Sequence, residues 1–183
     1  RYNSALQFIP ISQITGTGDG NQFYSLFRDS KGFYWFGGAN GLIRFTDPAG
    51  ERHDAIWYRM GDKTYPLSHN RIRHIYEDKE QQLWIATDGS INRYDYATRQ
   101  FIHYNIVDNT GTYNTNWTYY IFEDTAGQLW ISTCLGGIFV VDKHKLMQST
   151  SGQYIAEQNY SVHNGLSGMF INQIIPDNEG NVW

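Results

Sequence analysis

The sequence predicts an all-β protein, a β-propeller assembled from four-stranded antiparallel blades. Three observations predict it. Four segments align without gaps over 15 positions: 21–35, 70–84, 116–130 and 169–183. Each places an Asp six residues before a Trp, pairing Asp29 with Trp35, Asp78 with Trp84, Asp124 with Trp130 and Asp177 with Trp183. The Trp-to-Trp spacings are 49, 46 and 53 residues. No stretch keeps a 3.6-residue apolar period over a helix length, and Gly and Asn interrupt every run, which excludes a helical solenoid.

Each repeat resolves into the same elements. A stretch rich in β-branched and aromatic residues, as at 72–76 and 119–122, favours a first strand. Apolar residues occupy both of its faces, with Ile72 and Tyr76 opposite Ile75, as suits a strand covered on two sides. Asp-x-x-Gly follows at Asp29, Asp124 and Asp177. The Asp bonds the backbone two residues on and the Gly accepts a positive φ, so a tight hairpin turn is predicted. The second repeat has Gln81 where Gly belongs, which predicts a turn that is strained or of different shape. A second strand holding the Trp comes next (34–36, 83–87, 129–133), then a Gly turn, a third strand (42–45, 91–94, 138–141) and a fourth, more variable one (55–58, 101–104, 159–162). The four Trp residues read as wedges between blades. Each would bury on the order of 150–250 Å², or roughly 4–6 kcal/mol before entropy is counted.

Composition limits the function. The 183 residues include 14 Lys+Arg and 18 Asp+Glu, a net charge of -4, which offers no basic footprint for nucleic acid. The aromatic content of 16% belongs to a chain with a core rather than to a disordered one. A single cysteine, Cys134, leaves neither an internal disulfide nor a paired-thiolate zinc site. No apolar run reaches the length of a membrane span, no direct insertion of this segment into a membrane is expected, and no charged-then-apolar leader follows Arg1. Nucleophile-elbow, P-loop and His-Glu-x-x-His patterns are absent, and the six His are scattered, so no catalytic residue, metal site or cofactor is expected. The Gly16, Gly18, Gly20 run opens no helix and reads as a loop.

The repeat resembles a known one. The segments IFEDTAGQLWISTCLGGIFVVD (121–142) and IYEDKEQQLWIATDGSINRYD (75–95), with the connecting phrases PLSHNRIRHI and HNGLSGMFINQI, resemble the two-component regulator propeller repeat. Gln81, the Phe36-Gly37 pair and Pro176 depart from its pattern. The resemblance implies a periplasmic sensor region of a bacterial hybrid histidine kinase, homodimeric at full length. It also implies recognition of an oligosaccharide and control of glycan-utilisation genes by a kinase elsewhere in the parent chain.

Blade counting gives the expected organisation: 1–20 as the end of a preceding blade, 21–68, 70–115 and 116–168 as blades, and 169–183 as the start of a further one. A propeller closes only when its last blade meets its first, and seven blades of this length would take about 340 residues. The chain is therefore expected to be about three and a half blades of an incomplete propeller, completed by the remaining blades of a longer chain or by a second copy.

In a propeller the first strands line the centre, and their starting ends open on one face. The candidate ligand-binding residues there are Asn21 and Tyr24; Asn70, Arg71 and Arg73; Asn116, Trp117 and Tyr119; and Asn172. Asn40 and Asp88 come from the facing loops. Aromatic rings beside amide and guanidinium groups suit a sugar, whose C–H face stacks on a ring while its hydroxyls find polar partners. Two other functions fit the same fold: a propeller lyase with a metal near His69 or His74, and a docking propeller without a small ligand.

Overall fold

The computed structural model describes residues 22–46, 55–64, 66–150, 152–177 and 179–183. The expected preceding-blade segment 1–20 and the candidate Asn21 lie outside them.

Three antiparallel four-stranded sheets follow one another along the chain. Blade 1 contains β1 (Phe23–Arg28), β2 (Tyr34–Gly38), β3 (Gly41–Phe45) and β4 (Ile56–Tyr58). Blade 2 contains β5 (Ile72–Glu77), β6 (Leu83–Thr87), β7 (Ser90–Asp95) and β8 (Gln100–Tyr104). After the short β9 (Ile106–Val107), blade 3 is formed by β10 (Thr118–Glu123), β11 (Gln128–Thr133), β12 (Ile138–Asp142) and β14 (Gln158–Tyr160). Its third and fourth strands are joined through a helix, Lys143–Gln148, and β13 (Tyr154–Ile155), which pairs in parallel with β9. The first strands β1, β5 and β10 lie side by side along the inner edge. This is an incomplete β-propeller.

The core lies between blades. Trp35 and Leu42 of blade 1 pack with Ile72, Ile75, Leu83 and Tyr94 of blade 2. Trp84 and Ile91 of blade 2 pack with Ile121, Leu129 and Phe139 of blade 3. Each Trp thus wedges against the following blade. Trp35 and Trp84 are fully buried, whereas Trp130 packs less completely against the 166–182 segment.

The repeat Asp is the fastener of its hairpin. One oxygen of Asp78 accepts the Glu80 and Gln82 N–H groups at 2.9 and 2.8 Å, while the other accepts Trp84 Nε1 at 2.9 Å. Asp29 and Asp124 repeat this arrangement with Trp35 and Trp130. The turns share one shape. Gly32, Gly127 and Gly180 have φ of 88°, 81° and 89°, and Gln81 takes the same left-handed region at 62°. The departure at Gln81 therefore leaves the turn's shape unaltered and puts a side chain where Gly is at ease, at about 1 kcal/mol or more.

One expectation changes in the fourth repeat. Residues 169–175 form no strand; the segment is held by the Ile171 N–H on the Thr133 carbonyl and by a single bridge between Pro176 and Val182. Trp183 keeps its 2.9 Å bond to Asp177 and is 76% exposed.

Candidate functional site

The same irregularity occurs in all three first strands. Phe23 pairs with Gly38 and Ser25 with Gly37, leaving Tyr24 as an extra residue. In blade 2 the pairs Ile72–Thr87 and His74–Ala86 leave Arg73, and in blade 3 the pairs Thr118–Thr133 and Tyr120–Ser132 leave Tyr119. Each is a β-bulge, which releases one residue from the ladder and re-aims its side chain. Three of the candidate residues are thus the bulged residues of adjacent blades.

Asp88, on the turn between β6 and β7, organises the rest. Its carboxylate, 8% exposed, receives Arg73 in a bidentate pair, Nε at 2.7 Å and Nη2 at 3.2 Å. Its backbone carbonyl accepts the Trp117 N–H from the next blade at 3.1 Å, and its own N–H donates to the Arg71 carbonyl. Arg71 Nε stands 3.8 Å from the same carboxylate. The Arg73 guanidinium lies 4.5 Å from the centre of the Tyr119 ring, which meets Phe170 edge-on at 5.2 Å. Partial burial works to lower the Arg73 pKa, but the hydrogen bond and charge of Asp88 outweigh it and hold the pKa above its usual value. Arg73 is a fixed cation on an aromatic platform.

Trp117 is 47% exposed and sits at φ 55°, in the region that favours Gly. Two backbone bonds hold it there: its N–H to Asp88, and its carbonyl accepting the Cys134 N–H at 3.0 Å. Beside it, a groove of about 480 Å³ is lined by Thr112, Tyr113, Asn114, Asn116, Leu135 and Gly136 as well as Trp117.

The other candidates divide. Tyr24 is 46% exposed and donates to Gln22 Oε1; Asn116, just before β10, and Asn172, in the strandless 169–175 segment, are exposed. Asn70 instead accepts the Met60 N–H at 2.7 Å, a loop brace rather than a free amide. Phe170 was not singled out by the sequence, although it occupies the repeat position of Arg71 and Trp117. His74, next to Arg73, turns inward. It stacks on Tyr120 at 4.0 Å and its Nδ1 faces the Ile121 N–H at 3.3 Å, while burial lowers its pKa to about 4. Among the described residues no group of three or more His, Cys, Asp or Glu could hold a metal ion. A larger cavity, about 720 Å³, lies away from the bulges, between residues 108–113 and 156–164. Its acids are already bonded, Asp108 within its own turn to Thr110 and Tyr113, and Glu157 to Tyr154.

The two-component regulator propeller family matches residues 17–40 and 66–89, which span the β1–β2 and β5–β6 turns. These are two-component regulator propeller repeats. Among solved structures, the extracellular domain of BT4673 from B. thetaiotaomicron is 99% identical over 100% of this chain, with a TM-score of 0.93; there BT4673 is described as a hybrid two component system. A further structure of that domain, described as from a one component system, is 98% identical with a TM-score of 0.92. The chain spans 24% of the length of each. The extracellular domain of BT3049 from the same organism is 22% identical over 96% of this chain and 23% of its own, with a TM-score of 0.72, a likeness of fold. No curated protein matches the chain.

Proposed function

We propose that the chain is part of the extracytoplasmic sensor of a hybrid two-component signalling protein, and that the bulge-lined face binds an oligosaccharide. Occupancy of that face passes to a kinase elsewhere in the parent chain and regulates glycan-utilisation genes. The family repeats and the near-identical extracellular domain support the sensor part. No helix among the described residues is long and apolar enough to cross a membrane, which fits such a placement. The observation that carries the ligand part is the row of bulged side chains Tyr24, Arg73 and Tyr119 on three adjacent blades, with the exposed Trp117 beside them. Exposed rings held in place offer platforms for pyranose faces, and the guanidinium and amides supply directional bonds.

The test is a melting-temperature screen of the whole extracellular region against a broad oligosaccharide panel. A ligand at a hundred times its Kd stabilises the folded state by about 2.7 kcal/mol, a clear shift. Trp117→Ala and Arg73→Ala are expected to abolish that shift while the unliganded protein stays folded. Binding unchanged in both variants removes the site, and a panel without any shift favours the docking propeller.

A further inference from the structure

Charge is unevenly distributed over the blades. The chain is acidic overall, at -4, yet at the loop end of blade 2 two guanidinium groups meet one carboxylate. Arg73 takes both oxygens of Asp88. Arg71 touches that carboxylate only through Nε at 3.8 Å, and its side chain is 47% exposed. Among the described residues this one Asp faces both guanidinium groups, which leaves positive charge in excess there. The neighbouring 59–64 segment adds Arg59 and Lys63 against Asp62, whose carboxylate accepts the Thr64 N–H at 2.7 Å.

The arrangement belongs to one blade. The backbone bond between Arg71 and Asp88 recurs between Gln22 and Ala39 and between Trp117 and Cys134, so Ala39 and Cys134 occupy the position of Asp88. The bulge residue is Tyr in both of those blades. A charged pair with a spare cation is therefore flanked on either side by an aromatic ring, and the position equivalent to Asp88 is the uncharged Ala39 or Cys134 in those blades. Guanidinium groups present planar donors matched to a carboxylate or a sulfate, and an exposed, unmatched one has its donors open to such a group.

Resting on the reading of this face as an oligosaccharide site, we infer that the ligand is anionic. A uronate carboxylate or a sulfate ester binds Arg71, with Arg73 fixed by Asp88 as the second donor. Trp117 and Tyr119 take the sugar faces.

The experiment is calorimetric titration of the whole extracellular region with three sets of probes: oligogalacturonides, sulfated chondroitin disaccharides, and neutral xylo-, manno- and cello-oligosaccharides. The expected result is binding of an acidic set and not of the neutral one. Affinity should fall as NaCl rises from about 0.05 to about 0.5 M, because exposed charges are screened over that range. Arg71→Gln should weaken binding about tenfold or more, with Arg71→Lys retaining part of it and the unliganded melting temperature unchanged in both. The set that binds separates carboxylate from sulfate. Neutral oligosaccharides binding alike to wild type and Arg71→Gln overturn the charge assignment and leave the sugar site standing. An acidic ligand insensitive to Arg71→Gln also overturns it. Binding by none of the three sets overturns the oligosaccharide reading as well.

Discussion

The two ends of the same blades solve opposite problems. At the hairpin-turn end each repeat Asp carboxylate is engaged. Asp29 accepts its own turn, Trp35 Nε1 and the Tyr96 hydroxyl of the next blade; Asp78 accepts Trp84 Nε1 and pairs with Lys143 of the next blade at 3.2 Å. The Glu before Asp78 and before Asp124 closes the joint from the other side: Glu77 accepts the Ser30 N–H and Glu123 the Lys79 N–H. Lys143 is fully buried and also bonds Glu123 at 2.8 Å. Where Pro176 stands in place of that Glu, the latch is missing and a gap of about 270 Å³ opens between Thr125 and Asp177. At the loop end the ladders are interrupted by bulges, Trp117 is held at a positive φ, and Arg71 has only a distant partner. Saturated networks fix blade to blade, and unsaturated groups remain to meet something else. The division teaches that stability and recognition are housed at opposite ends of one repeat.

That comparison can be broken. Asp78→Ala should destabilise by about 3–5 kcal/mol, because it leaves Trp84 Nε1 without its acceptor, undoes the turn bonds to Glu80 and Gln82, and takes from the buried Lys143 one of its two buried carboxylates. Arg71→Gln, at the other end, should stay within about 0.5 kcal/mol. Urea unfolding of the two variants checks both, and similar losses would dissolve the division.

His74 lies between the two ends and gives a pH dependence. Its folded pKa is about 4 because burial penalises the charged ring, against about 6.5 when unfolded. Between those values the unfolded state binds the extra proton. The contribution is therefore complete above about pH 6.5 and is lost as the pH falls towards 4, by about 3 kcal/mol. Unfolding curves across that range, with the imidazole followed by NMR, test the loss; a ring titrating near 6.5 contradicts it.

Gly37→Ala should cost about 1–3 kcal/mol, since its Cβ would come 2.8 Å from Ile72 Cβ on the next blade. Crowding between β2 and β5 sharpens the view that close blade contact extends inward from the turns; an unchanged urea midpoint argues against it. The smallest effect is expected at Ser132, whose buried hydroxyl has no hydrogen-bond partner among the described residues, where blade 2 has Ala86 in the same register. Ser132→Ala should be neutral or stabilising by up to about 1 kcal/mol, read as an unchanged or raised melting temperature.

Much of the fold was legible because its determinants are local. Asp-x-x-Gly dictates a hairpin through bonds that span at most four residues, and Gln81 was visible as an exception. Glu77 and Glu123 stand in sequence before Asp78 and Asp124, yet the partner of Glu77 lies 47 residues away at Ser30, so the role of latch was not visible. Lys143 and Tyr96 follow Asp142 and Asp95 at the ends of their strands, and only the wedge of one blade on the next buries the first and bonds the second. At the candidate site the sequence supplied Tyr24, Arg73 and Tyr119 by repeat position. It gave no sign of a bulge, which depends on how two strands are paired.

By itself, then, the sequence determined the repeat, the turns, the strand order within a blade and the family, since hairpins, strand propensity and periodicity act over a few residues. Tertiary structure decided which groups remain unsaturated. It paired Arg73 with Asp88 and left Arg71 over, turned His74 inward while Arg73 turned outward, and buried Trp35 and Trp84. Burial and charge compensation are properties of neighbours in space, and in a stack of blades those neighbours come from the next repeat.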